Sequence, residues 1–194
     1  MSGIEYKKVD GAYFSQYDLI PMCVQVSSIF QIEKIHQGLG GYVITEKPVK
    51  PYVKDFRVEH NASITHDTKQ FDTSNWAFFM AFDDSRPVGG VAVASRTKEV
   101  NMLSGRDDLA VLWDIRVDND YKGKGVGQKL FDMAVEWARG QGLVQMKIEC
   151  QNNNVPACKF YHKQGAVLSA IDEYAYYNEP EYRHEVQFIW FLDL

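Results

Sequence analysis

A chain of 194 residues, 45% hydrophobic and 24% charged, can bury a sizeable core and fits one globular domain, residues 1–194. Its formal net charge of -5 argues against a nucleic-acid partner. Cys23, Cys150 and Cys158 form no CxxC pair, and His36, His60, His66, His162 and His184 lack ligand spacing, so neither a disulfide framework nor a metal is expected. The opening MSGIEYKKVDGAYF has no apolar segment of a signal peptide, and no run approaches the roughly 18 apolar residues of a membrane span, so a soluble cytoplasmic protein is expected.

Residues 1–20 read as mixed surface chain. Apolar positions 24, 26, 30 and 32 alternate and predict a strand, with a helix over Ser27–Gln37 as the alternative. After Gly38, Gly40 and Gly41, GYVITEKPV resumes an extended chain that Pro48 and Pro51 should end. Residues 55–74 carry no clear period. Trp76–Phe82, the turn DDSRP and Val88–Ser95 predict an antiparallel hairpin, followed by a strand over Ala110–Val117. A helix from about Gly125 to Arg139 should bury Val126, Leu130, Met133, Ala134 and Trp137, and Gly140 and Gly142 should stop it. Val144, Met146, Ile148 and Cys150 alternate as a strand, which makes strand, helix and strand a right-handed parallel unit. Asn152, Asn153 and Asn154 supply a turn and cap a short helix that has Pro156 in its first turn and ends near Gly165. Val167–Ala170 and Val186–Leu192 are the closing strands, so the fold class is mixed α/β, a sheet flanked by helices.

The segment DNDYKGKGVGQKL, residues 118–130, sets Gly123, Gly125 and Gly127 at a strand-to-helix junction. Glycines let oxygens approach the backbone, and a helix start offers free N–H groups and about half a positive charge. Lys122, Lys124 and Lys129 add mobile positive charge. That is the logic of a pyrophosphate cradle. The nucleoside-triphosphate pattern GxxxxGK[ST] is absent, and the dinucleotide pattern GxGxxG fails because Leu130 stands where its last glycine belongs. A tight turn with no ligand is the other reading of the loop taken alone.

The stretch WDIRVDNDYKGKGVGQKLFDMAVEWA resembles the acetyl-CoA-binding motif of the GNAT superfamily of N-acetyltransferases, whose pattern is Arg or Gln, two residues, Gly, one residue, Gly or Ala. Here it runs Lys122, Gly123, Lys124, Gly125, Val126, Gly127, with lysine keeping the charge but lacking arginine's planar fork. A second stretch, Asn154, Ala157, Phe160, Tyr161 and Gly165, also resembles that family, with Ala166 where phenylalanine is usual. The resemblance covers residues 75–194, with residues 1–74 as the variable part. It implies a central mixed, largely antiparallel sheet with splayed parallel strands. ECQNNNVPACKFYHKQGAVL, IDEYAYY, the closing FIWFL and GGYVITEKPVKPYVKDF resemble, more narrowly, the streptothricin acetyltransferases, which acetylate a β-lysine amine of an antibiotic.

The resemblance implies roles residue by residue. Ile115, Arg116 and Val117 would offer backbone groups to the pantetheine arm and thioester of acetyl-CoA, and Gly123, Lys124, Gly125, Val126, Gly127 and Gln128 would take the pyrophosphate. Asn154, with Ala157 beside it, would meet the pantetheine arm, although a plain helix cap explains Asn154 as well. Tyr161 would protonate the leaving thiolate; its other reading is core packing. An amine of pKa near 10 arrives protonated, so a carboxylate is wanted as base, Asp114 first and Glu149 second. Asp172, Glu173, Glu179, Glu181 and Glu185 would draw a polycationic acceptor or form a solvated face, and Tyr174, Tyr176 and Tyr177 divide between core and an acceptor wall. Trp113 reads as packing, and Cys158 is no nucleophile because the family needs no acyl-enzyme. The implied co-substrate is acetyl-CoA and the implied acceptor a small cationic amine, with no metal, nucleic acid or membrane, in a homodimer as is common among such folds. A polyamine or protein-lysine acceptor and a non-catalytic acyl-CoA sensor are the alternatives.

Overall fold

The structure, a computed structural model, describes residues 3–59 and 62–194; of the histidines weighed as ligands, His60 lies outside them. In chain order the strands are β1 (Glu5–Val9), β2 (Cys23–Lys34), β3 (Tyr42–Asp55), β4 (Ala77–Asp83), β5 (Arg86–Ser95), β6 (Leu109–Val117), β7 (Gln145–Gln151), β8 (Val167–Asp172) and β9 (Gln187–Asp193). The α-helices are α1 (Phe14–Tyr17), α2 (Phe56–Glu59), α3 (Ile64–Gln70), α4 (Val126–Gly140) and α5 (Val155–Lys163). Seven strands form one mixed sheet in the order β1-β4-β5-β6-β7-β9-β8, and β2 pairs with β3 in a separate ribbon. This is the mixed α/β class expected, with antiparallel pairs outnumbering the parallel pair β6–β7.

The chain divides into two compact units. The first takes the chain up to Cys23, Asp55–Ile148 and Leu192–Leu194. Its core is the hairpin β4–β5, apolar on nearly every residue because helices cover it. Helix α4 lies on β4, β5 and β6. It buries Val126, Leu130, Phe131, Ala134, Val135 and Ala138, so its inner face is rotated away from the expected stripe, and Met133 and Trp137 are only half-buried. Residues 3–20, the described part of the opening segment, do not wander over the surface. β1 pairs antiparallel with β4, and Tyr17 and Ile20 are fully buried. Gly90 makes room for Tyr17, since a Cβ there would run into the phenol ring. The described part of residues 55–74, which show no period in sequence, holds α2 and α3. Asp18 organises the start of α3 by accepting from the N–H of Ile64 at 2.8 Å and of Thr65 at 3.1 Å.

The second unit takes Val24–Lys54 and Glu149–Phe191. The alternation in residues 24–32 resolves as strand β2 rather than helix. β3 does not stop at its prolines but runs through Pro48 and Pro51 to Asp55. A two-stranded ribbon leaves one edge of each strand open, which is where a residue lacking an N–H is tolerated. The short helix α5 has the cap and first-turn proline expected, and β8 and β9 close the chain as an antiparallel pair.

Candidate active site

Strand β6 changes partners half-way along its length. Ala92 pairs with Asp114 and Val93 with Leu112, so Trp113 is the extra residue of a β-bulge. The parallel ladder with β7 runs from Leu109↔Gln145 to Leu112↔Ile148 and stops there, whereas the ladder with β5 continues to Val117. Among the described residues the strand from Trp113 to Val117 is therefore paired on one side only, and its other edge presents backbone donors and acceptors. These include the expected Ile115, Arg116 and Val117.

The glycine loop follows directly. Asp118 anchors it: its N–H donates to Val88 O at 2.9 Å, and its carboxylate accepts from Asp120 N at 3.0 Å and Arg86 Nη2 at 2.7 Å. Gly123 and Gly125 hold φ of 74° and 86°, the left-handed region that glycine enters without a Cβ penalty. Gly125 caps α4 without any side-chain bond. The N–H groups of Gly123, Gly125, Val126 and Gly127 have no acceptor among the described residues. Four neighbouring donors at the start of a helix fifteen residues long make an anion-binding nest. Lys122 is turned to the Cys23 carbonyl at 2.5 Å, Lys124 lies 5.2 Å over the Tyr121 ring, and Gln128 bonds Asp132 at 2.8 Å.

Asp114 is not a free carboxylate. It is buried, its two oxygens accept from Nε and Nη2 of buried Arg116, and Oδ1 also accepts from Tyr17 Oη at 2.8 Å. Burial acts to lower the Arg116 pKa, but the Asp114 charge and hydrogen bonds outweigh it, so the guanidinium stays above its ordinary value and fully charged. Arg116 Nη1 has no partner among the described residues. The Tyr17 phenol is pushed well above the usual tyrosine range, first by burial and then by the Asp114 charge. The bulge also fixes Trp113, whose indole N–H donates to Asp67 Oδ2 at 2.8 Å while its ring packs on Phe71 and Trp76.

In the second unit the three consecutive asparagines do three jobs. Asn152 donates to Phe30 O at 3.0 Å and accepts from Val186 N at 2.9 Å, tying β2 to the lead-in of β9. Asn153 donates to Tyr52 Oη at 3.2 Å and to Glu185 Oε1 at 2.8 Å. Asn154 caps α5, accepting from Ala157 N at 3.3 Å through Oδ1, and its Nδ2 donors have no partner among the described residues. Tyr161, on α5, is buried against Phe160. Glu149 accepts from Tyr176 Oη at 2.6 Å and from Gln151 Nε2 at 3.4 Å through Oε1. Burial, then the Glu149 charge, pushes the Tyr176 phenol far up. Cys150 and Cys158 are buried with sulfurs 3.3 Å apart.

The late acidic run is not one solvated face. Glu185 is buried and its carboxylate is bridged by Lys54, also buried. Glu173 pairs with Lys34 at 2.7 Å. Asp172, Glu179 and Glu181 stay exposed, as do Tyr174 and Tyr177, while Tyr176 is core. Sequence reasoning missed Asp67, Lys54 and Tyr17. Their segments offer no period, and only the fold pairs them with partners distant in the chain.

Residues 44–166 match the model of the acetyltransferase (GNAT) family. The chain belongs to that family. A streptothricin acetyltransferase of Escherichia coli is 30% identical over 83% of this chain and 82% of its own, and streptothricin acetyltransferase A of Bacillus subtilis is 27% identical over 82% and 83%. Among solved structures, nourseothricin acetyltransferase superposes with a TM-score of 0.77 at 22% identity over 98% of both chains. A Bacillus anthracis protein described as a streptothricin acetyltransferase, solved in complex with acetyl coenzyme A, gives 0.74 at 23% identity over 100% of this chain and 98% of its own. Membership makes this GNAT protein an N-acetyltransferase. Among its described residues no helix is long and apolar enough to cross a membrane.

Proposed function

We propose that this acetyltransferase moves the acetyl group of acetyl-CoA to an amine of a small polycationic acceptor, streptothricin first. The carrying observation is the row of unpartnered N–H groups at Gly123, Gly125, Val126 and Gly127, next along the chain from the open edge of β6. The nest matches a pyrophosphate in charge and donor count, and the open edge matches amide groups that pair like a strand. Acetyl-CoA supplies an acetyl group activated as a thioester. Lys124 adds charge at the nest, and the free Nδ2 of Asn154 takes a carbonyl of the pantetheine arm. Tyr161 serves as proton donor to the leaving thiolate, which with a pKa of about 8.5 departs more readily when protonated. Asp114 has its charge matched by Arg116, so it holds β6 in shape rather than taking the amine's proton.

The streptothricin reading is supported by the relatives that carry that name across most of the chain. Exposed Asp172 and Tyr174 suit a cationic acceptor by charge and cation–π attraction. A panel of amines, followed by free thiol release with acetyl-CoA, tests it. Streptothricin should exceed spermidine and a lysine peptide in kcat/KM, and added salt should raise its KM. If the peptide wins, the antibiotic acceptor is wrong and a protein acceptor replaces it.

A further inference from the structure

We propose that Asp67 is the group that accepts the proton from the attacking amine. The inference rests on acetyl transfer to an amine, whichever amine that is. A base must combine an available oxygen, a fixed position and a place beside the reacting strand. Asp67 has all three within the first unit. Its Oδ2 is held by the Trp113 indole at 2.8 Å, whereas no hydrogen-bond donor reaches Oδ1 among the described residues. The anchor, Trp113, is itself the bulge residue at which β6 leaves its ladder with β7, so the carboxylate is pinned to the start of the open edge. The aromatic group of Phe71, Trp76 and Trp113 makes that anchor rigid.

The surroundings favour a proton acceptor over a structural ion pair. No cation is paired with Asp67 among the described residues. Burial raises its pKa above the ordinary aspartate value; the indole bond opposes this, the Asp114 charge adds to it, His66 opposes it and Asp18 adds a little more. On β6, Arg116 neutralises Asp114; after α1, Asp18 is bonded by the N–H groups of Ile64 and Thr65 and by Ser63 Oγ at 2.9 Å. Thr65 Oγ1, two positions before Asp67 on α3, is buried with no partner among the described residues. A buried hydroxyl left unsatisfied is what a polar ligand or its water would complete.

The step balances. The ammonium gives one proton to the Asp67 carboxylate, the neutral amine forms the N–C bond, and the C–S bond breaks. The second proton from nitrogen ends on the thiol sulfur, and Asp67 returns its proton to solvent.

The test uses the full-length enzyme with the panel amine it acetylates fastest. The wild-type kcat/KM should fall at acid pH with an apparent pKa above the usual aspartate range. Asp67→Asn should lose that limb and drop about a hundredfold, with acetyl-CoA affinity unchanged. Asp67→Glu should restore part of the rate. Trp113→Phe removes a bond that favours the ionised carboxylate, so the limb should move to higher pH. The proposal is overturned if Asp67→Asn keeps the acid limb and half the wild-type kcat/KM. It is equally overturned if Trp113→Phe leaves the limb in place, a result that decides the matter even where Asp67→Asn does not fold.

Discussion

Replacing Lys54 with methionine isolates what the buried ion pair of the second unit does. The Lys54 side chain is 1% exposed and that of Glu185 4%, and the ammonium reaches both carboxylate oxygens. Methionine keeps most of the apolar stem and removes the charge, including the ammonium that lies 5.5 Å over the Tyr182 ring. Glu185 would then be a buried carboxylate held, among the described residues, by the bond from Asn153 Nδ2 at 2.8 Å. Breaking one partner of such a pair costs about 3–5 kcal/mol. A hydrogen bond to a charged group contributes about 1.5–3 kcal/mol, so the surviving Asn153 bond keeps the loss near 3 kcal/mol. For a domain of this size that is a fall in Tm of about 6–12 °C. Calorimetry and urea unfolding followed by circular dichroism should agree if the transition is two-state. Lys54→Met with Glu185→Leu should recover most of the loss, since two apolar groups leave no orphaned charge. A single variant within about 1 kcal/mol of wild type, or a double variant no better than the single, would refute the reasoning.

Gly125→Ala should weaken acetyl-CoA at least about tenfold by calorimetry, or 1.4 kcal/mol. It should also cost roughly 1 kcal/mol of stability, because φ of 86° suits glycine and not alanine; unchanged affinity removes the nest from the argument. Tyr161→Phe keeps the buried ring and removes the donor, so turnover should fall about a hundredfold with acetyl-CoA affinity nearly unchanged. Near wild-type turnover, with chemistry rate-limiting, would leave the tyrosine as packing alone. Asp67→Asn should raise stability at neutral pH. A carboxyl with a raised folded-state pKa contributes stability below its unfolded pKa and loses it as pH rises through the folded value. The gain should therefore vanish below the usual aspartate range, and equal stability of the two proteins at pH 7 in urea unfolding would contradict it.

Local pattern carried much of the fold. The apolar density of Trp76–Phe82 and Val88–Ser95 produces the β4–β5 hairpin, because a strand covered on both faces has to be apolar throughout. Glycines at 123 and 125 mark a turn that needs positive φ, and Asn154 followed by Pro156 marks a helix start. The face of α4 was less legible. Leu130 and Ala134 suit either rotation, and packing on β4, β5 and β6 buries Phe131, Val135 and Ala138. The segment holding Tyr17 and Ile20 is illegible for a similar reason: its polar letters hide two residues that are buried completely.

From the sequence alone come the strand-loop-helix that builds the donor nest, the parallel unit around it, and the family resemblance resting on Lys122–Gly127 and Asn154–Gly165. These are local, fixed by spacing, propensity and caps within a few residues. Which charges are available was decided by tertiary structure. Asp114 and Glu185 look like free acids in the sequence, and each is matched by a cation, Arg116 or Lys54, that folding buries against it. Asp67 looks like one acid among many, and only the bulge at Trp113 fixes one of its oxygens and leaves the other open. A carboxylate's chemistry depends on the charge, donors and water within a few ångströms, and those neighbours come from segments far apart in the chain.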